Sequence, residues 1–367
     1  MIKIKLKHGI FTEEELDKYN ESILLKIGIL INTIFLVVIM CIYTGVKFNF
    51  DNIFESKKSK NQDNLNIIQD GNNVFTNNIK TVNAEIEGSV ECNLPGGVQK
   101  ENCSIQKDIF HKKIVIAFPK GMSGYEQDNI VNTYAAVKNI DINISDVMVK
   151  VEISLNSIRD CNVEFSDGKI RLDFFNPMNV DIPVIVVDAG HGGDDVGAIE
   201  RGTYEKNINL TVCERLKEIL DNDDKILVYY TREDDTYPSV EERIDFVNEL
   251  MPDLFISIHS NWYEHSDVSG TSVLYNVKDS SEFGSEWLSN IMCQEVIKTC
   301  NTNDRGVVDG HDIHIVRNSK VPVALIEMGF MSNGEDFSLL TGNAGQIKLA
   351  NGIYNGIIRS LTEMGKY

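Results

Sequence analysis

The 367-residue chain lacks several patterns that mark common enzyme sites. Its 7 cysteines form no Cys-x-x-Cys pair, which argues against a zinc held by thiolates. No His-Glu-x-x-His run occurs, which excludes that class of metalloprotease. No Gly-x-Ser-x-Gly turn occurs either, so the serine nucleophile of that motif is missing. Positive charge is scarce: 35 Lys and Arg against 55 Asp and Glu give a formal net charge of −20. Neutralising phosphates takes clustered Lys and Arg, so nucleic acid is not an expected partner. No internal repeat is evident. What remains is ordinary globular composition, 42% hydrophobic and 25% charged, at a length that allows two domains and further segments.

One segment departs from that average. Residues 27–46 (IGILINTIFLVVIMCIYTGV) carry no charge and match the length of a bilayer-spanning helix, with Lys26 and Lys47 at the flanks. The preceding segment is long for the head of a signal peptide, and no small-residue cleavage site follows, so an uncleaved anchor is expected. Residues 1–26 then form a cytoplasmic segment. The lysine balance, Lys3, Lys5, Lys7, Lys18 and Lys26 before the span against Lys47, Lys57, Lys58 and Lys60 after it, leans weakly the same way. Residues 47–110, rich in Asn, Asp, Lys, Ser and Gly, read as a flexible linker. Within them Cys92 and Cys103 flank an Asn-Leu-Pro-Gly-Gly loop; a disulfide and two thiols are both compatible with that spacing. Residues 111–180 alternate apolar and polar positions between turn signals and predict a small β-rich domain, either a packing module or a wall- or partner-binding one.

From residue 181 to 367 strand and helix patterns alternate, which indicates an α/β domain. Strands are expected at 183–188, 225–230, 254–258, 271–276 and 321–326, and helices at 205–220, from Ser239, at 284–300 and at 346–364. Ser239 and Glu242 form a capping box. Two strands end on histidines: His191 follows VIVVDAG, and His259 follows LFISI. The run VPVALIEMGF delivers Glu327, and Glu205 opens a helix after a glycine-containing loop. Ligands collect at the carboxyl edge of open α/β sheets. Two histidines and two glutamates converging there point to a catalytic zinc site. His191, Glu205 and His259 are the expected metal ligands. An unpaired carboxylate in a buried run is costly, which marks Glu327 as the proton-transferring base. His311 and His314 form a weaker rival pair.

The ordered set VVDAGHGG, YEKNINL, TR, ISIHSN and VALIEMGFMSN resembles the zinc-dependent N-acetylmuramoyl-L-alanine amidases of the amidase type 3 family, over about residues 182–365. The resemblance implies the same roles: zinc on His191, Glu205 and His259, with Glu327 catalytic. It implies an α/β catalytic domain with a mixed, mostly parallel sheet flanked by helices, preceded here by the β-rich domain and the transmembrane helix. It implies peptidoglycan as substrate, cleaved at the amide between N-acetylmuramic acid and L-alanine, and so an extracytoplasmic catalytic domain on a single-pass anchor. It leaves room for an activator or regulatory protein. Arg232 and Arg243 match recurring arginines, for which salt bridging within the fold is the favoured role, and Asn261 and Arg317 are candidates to line the groove. Trp262 and Tyr263 after the second histidine depart from the pattern. The stretch from Ser260 to Glu327 is short for a long occluding helix, which predicts an open groove. The alternatives are a zinc carboxypeptidase, with Arg317 binding the terminal carboxylate, and a non-catalytic wall-binding relative.

Overall fold

A computed structural model describes residues 80–367 apart from 122, 123 and 167, together with the backbone of two short strand pairs, Lys3–Leu6 with Gly9–Thr12 and Gln69–Asp70 with Asn73–Val74. The expected span at 27–46 lies outside the described residues. Among the described residues no helix is long and apolar enough to cross a membrane.

Between Ala84 and Val180 the described residues form eight strands: β1 (Ala84–Asn93), β2 (Ser104–Asp108), β3 (Lys113–Pro119), β4 (Ile130–Asn132), β5 (Val137–Ile144), β6 (Met148–Leu155), β7 (Asp160–Ser166) and β8 (Lys169–Val180). They form two four-stranded antiparallel sheets, β2-β3-β6-β5 and β7-β8-β1-β4. Alternate residues of each sheet, such as Ile114, Ile116 and Phe118 on β3 and Ile170, Leu172 and Phe174 on β8, meet in one core. Cys92 and Cys103 lie in that core, where burial pushes their thiols up to about 12 and about 11. The expected linker therefore gives way to ordered chain before Ala84. Residues 84–108 escaped detection because the apolar residues that β1 (AEIEGSVECN) buries are only Val90 and Cys92, set among charged and small residues. It is held by its pairing with β8, and Val82 before it donates to Asn162 Oδ1 at 2.8 Å.

The remainder contains β9 (Val184–Ala189), a small hairpin of β10 (Ile199–Glu200) and β11 (Thr203–Tyr204), α1 (Glu205–Leu220), β12 (Leu227–Tyr230), α2 (Val240–Leu250), β13 (Leu254–Asn261), β14 (Thr271–Tyr275), α3 (Ser285–Cys300), β15 (Asp304–Asp309), α4 (His314–Arg317), β16 (Val323–Phe330), α5 (Gly334–Thr341) and α6 (Asn343–Glu363). Its six-stranded sheet has the order β12-β9-β13-β16-β14-β15. All pairings are parallel except that of β14 with β16, so the sheet is mixed.

The fully buried strand β9 sends Ile185, Val187 and Ala189 to one face and Val184 and Val186 to the other, as a period of two requires. On the first face Ile208, Val212, Leu216 and Leu220 of α1 pack with α3 and α6. Each such fully buried side chain contributes about 1.5–3 kcal/mol relative to exposure. On the second face Ile244, Phe246, Val247 and Leu250 of α2 pack with Val82, Ile109, Ile158 and Phe175 of the β-rich module. The two modules thus share one core. Polar ties reinforce it: Tyr229 donates to Asp160 at 3.0 Å, and Glu249 of α2 accepts from Lys112 at 2.6 Å and from the Ile158 amide at 2.9 Å.

Candidate metal and catalytic site

At the carboxyl end of β9 the chain turns through Gly190, His191, Gly192 and Gly193. His191 has φ 61°, a left-handed conformation costly for a residue with a side chain. Two buried arginines hold the turn. Arg243 on α2 donates to the carbonyls of Ala189 (2.9 Å) and His191 (2.7 Å) and to the Asp188 carboxylate. Arg232, just after β12, donates to the carbonyls of Ala189 (2.8 Å), Gly190 (2.9 Å) and Lys206 (2.9 Å). Asp188 also accepts from Ser257 at 2.7 Å and Thr231 at 2.5 Å. Burial alone would raise the Asp188 pKa; Arg243 and the two hydroxyls outweigh it and hold the group below its ordinary value.

The turn aims His191 at Glu205, the first residue of α1. His191 Nε2 lies 3.2 Å from Glu205 Oε1, and His259 Nδ1 lies 3.1 Å from the same oxygen. The two rings meet edge to face with centroids 4.9 Å apart. Asp195 Oδ2 sits 2.9 Å from the other nitrogen of His191, which orients the ring. Glu205 accepts from the Ala198 amide (2.9 Å), the Ser260 amide (3.1 Å) and Asn209, one turn along α1 (3.2 Å). Gly190 is required beside this cluster, since a Cβ there would lie 2.2 Å from His259 Nε2.

The ligand atoms of His191, Glu205 and His259 all lie within 4.8 Å of one another. Their electrostatics suit a cation. Burial opposes charge on His191, yet Glu205 and Asp195 bring its pKa up to about 9. Burial likewise opposes charge on Glu205, and the two histidines pull its pKa well below the usual carboxylate range. A neutral-nitrogen and carboxylate donor set of this kind fits zinc.

Glu327 pairs in register with His259 on the neighbouring strand β16. It opens onto the site cavity, while its Oε2 is buried with no hydrogen-bond partner among the described residues. Burial pushes its pKa up to about 7, with Glu205 adding to the rise and the two histidines opposing it. Glu327 was expected at a strand end. It lies inside β16, which continues to Phe330 because β13 and β16 keep pairing, through a register shift, up to Asn261 and Phe330.

The cavity, about 400 Å³, is bounded by these residues together with Tyr237, Asn261, Trp262 and the start of α4. No residue of α3 is among those that line it. His314 reaches it, whereas His311 lies between Asp309 (3.1 Å) and Asp312 (3.2 Å), so the rival pair does not join the cluster. Arg317 is not among the lining residues, and one of its guanidinium nitrogens donates to the His311 carbonyl at 2.9 Å. Arg232 and Arg243 act within the fold, as expected. Sequence reasoning gave no role to Asp188, Asp195, Asn209 or Ser260. The one available signal was Asp195, four residues after His191 inside the glycine turn.

Comparison with known proteins matches residues 185–359 to the N-acetylmuramoyl-L-alanine amidase family model, Amidase_3. The chain is 36% identical over 173 residues to the uncharacterized protein YqiI of Bacillus subtilis, covering 47% of this chain and 82% of that one. It is 32% identical over 196 residues to the germination-specific N-acetylmuramoyl-L-alanine amidase of the same organism, covering 50% and 81%. Among solved structures, the CwlD amidase of Clostridioides difficile in complex with the GerS lipoprotein is 33% identical, with a TM-score of 0.46, covering 49% of this chain and 99% of that one. The match to the germination-specific amidase, at 32% identity over 81% of its length, shows that the chain belongs to the N-acetylmuramoyl-L-alanine amidase family, in agreement with the family model.

Proposed function

We propose that the protein is a zinc-dependent peptidoglycan amidase that hydrolyses the bond between the lactyl group of N-acetylmuramic acid and L-alanine, from a single-pass anchor at residues 27–46 with the catalytic domain outside the cytoplasm. The observation that carries the reading is the buried, unpartnered carboxyl of Glu327 beside the His191–Glu205–His259 cluster. His191, Glu205 and His259 would hold a zinc ion, which would supply a Lewis acid for the scissile carbonyl and lower the pKa of a bound water towards neutrality. The residues of the chain do the rest. Asp195 and the Glu205 oxygen fix the two rings. Asp188, Arg232 and Arg243 fix the turn that carries His191. Glu327 takes a proton from the attacking water and returns it to the departing alanine nitrogen, a role that its burial favours by raising its pKa towards neutrality.

The test uses the purified full-length chain in detergent with isolated peptidoglycan, run with and without an accessory lipoprotein. About one zinc per chain and released stem peptides with N-terminal alanine are expected. Zinc without any new alanine amino terminus, under both conditions, would overturn the reaction; absence of zinc in active protein would overturn the metal. For the anchor, the full chain is expected to stay with membranes through a carbonate wash, and a chain lacking residues 1–46 to leave them.

A further inference from the structure

Trp262 follows directly on the strand that carries His259, and it is one of 2 tryptophans in the chain. The other, Trp287, is on α3, where it packs against the core and bonds Glu363. Trp262 lines the site cavity and is 46% exposed. Leaving so large an apolar ring half in water at the mouth of a cavity marks a contact surface. The ring is also held: its Nε1 donates to Glu200 Oε2 of the β10–β11 hairpin at 3.1 Å, and its amide donates to Asn261 Oδ1 at 2.8 Å. Tyr237, 47% exposed, and Ile313 add apolar surface to the same cavity.

The charge of the cavity selects what meets that surface. Among the described lining residues the one guanidinium or ammonium is Arg243, which is 3% exposed and already bonded to the Pro238, Ala189 and His191 carbonyls and to Asp188. Asp195 and Asp312 also line the cavity. An acidic peptide therefore finds no free guanidinium or ammonium among the described lining residues. An uncharged ring with one apolar C–H face and polar edges fits the exposed indole.

We infer that Trp262 is a stacking platform for an uncharged N-acetylated pyranose ring of the glycan strand, seating the sugar side of the substrate against the catalytic cluster. The inference rests on the peptidoglycan reading above. It makes Trp262 a specificity-determining residue that selects glycan-borne stems over free peptide.

Indole fluorescence tests it without catalysis. A W287F variant of the full chain, which leaves Trp262 as the reporter, is titrated with a chitin-type N-acetylglucosamine oligomer and, separately, with a free stem peptide beginning at L-alanine. The oligomer is expected to shift Trp262 emission saturably, and the peptide is not. In wall hydrolysis W262A is expected to raise KM about tenfold with kcat and zinc content kept, and W262F to recover most of the loss. A shift with the peptide alone, with both probes or with neither would overturn the platform, as would a W262A variant with unchanged KM. A chain that liberates N-terminal alanine but shows no oligomer shift refutes this inference alone; a chain that liberates none refutes the amidase reading itself.

Discussion

Single side chains set the chemistry, and each has its own test. Glu327→Gln keeps the size of the side chain and removes its ability to accept a proton. Loss of a general base costs about 10²–10⁴ in rate, so kcat should fall by that amount while zinc content stays the same. Full hydrolysis by this variant would reject the assignment. The wild-type rate should rise with pH as the Glu327 carboxyl loses its proton, because only the carboxylate accepts one. That limb belongs at or below the group's value of about 7, since a dication on the neighbouring ligands draws the pKa down. A pH–rate profile of kcat/KM locates it, and a limb well above 7 would contradict the role. Asp195→Asn tests the outer support of His191: metal affinity should drop about 10–100-fold, read by competition with a chelator. At this scale the convergence of the four groups was legible, because each follows a recognisable apolar run or opens a helix. Asp195 offered only its place four residues after His191 inside the glycine turn, and its role emerges when the turn sets it 2.9 Å from His191.

At the scale of elements, helices declared themselves through caps and period, and strands through buried runs. The Ser239–Glu242 box appears as read, with the Ser239 amide donating to Glu242 at 2.8 Å and the Glu242 amide to Ser239 at 3.2 Å. Removing it with Ser239→Ala should cost about 1 kcal/mol, measurable as a lowered urea midpoint. What stayed hidden were elements that tertiary contacts stabilise: the exposed strand β15, the short α4 and α5, and β1, whose own side chains bury little. The link between β9 and α2 is electrostatic and was equally invisible, since Asp188 and Arg243 are 55 residues apart. Its pH dependence has a definite sign. The folded pKa of Asp188 lies below the ordinary 3.8, so the unfolded chain binds more protons in acid. The contribution is fully present above that ordinary value and is lost as pH falls below it. Replacing Asp188 by Asn should flatten the acid limb of stability, followed by urea unfolding from about pH 6 down to about pH 3. It should also destabilise the protein at neutral pH by about 3–5 kcal/mol, because Arg243 is left buried without its counter-charge.

Across the molecule, the decisive feature is the shared core between the β-rich module and the α/β sheet. From sequence the region 111–180 read as a packing or spacer module or as a wall- or partner-binding one, and the pattern could not decide between them, because alternation reports which face of a strand is buried and not what buries it. The structure shows that Ile109, Ile158 and Phe175 are part of the second hydrophobic layer over β9, β12, β13 and β16. They pack with α2, the helix whose Arg243 clamps the His191 turn, and Phe110 meets Phe246 of that helix with ring centroids 4.9 Å apart. The module therefore bears on the candidate metal site through one helix. Removing residues 84–180 would bare this layer and unpair Tyr229 and Glu249 from their partners. The shortened chain should expose hydrophobic surface, bind an apolar dye such as anilinonaphthalene sulfonate, and lose its cooperative melting transition. A freely hinged wall-binding module predicts the opposite: a truncated chain that folds, binds zinc with unchanged affinity and loses only its sedimentation with peptidoglycan. A finer variant separates the two without deleting anything. Glu249→Gln weakens the ties to Lys112 and the Ile158 amide while leaving the α/β sheet intact. If the module braces the site, this change slows hydrolysis and weakens metal binding although it lies outside the lining of the cavity; if the module is only tethered, both stay at their wild-type values.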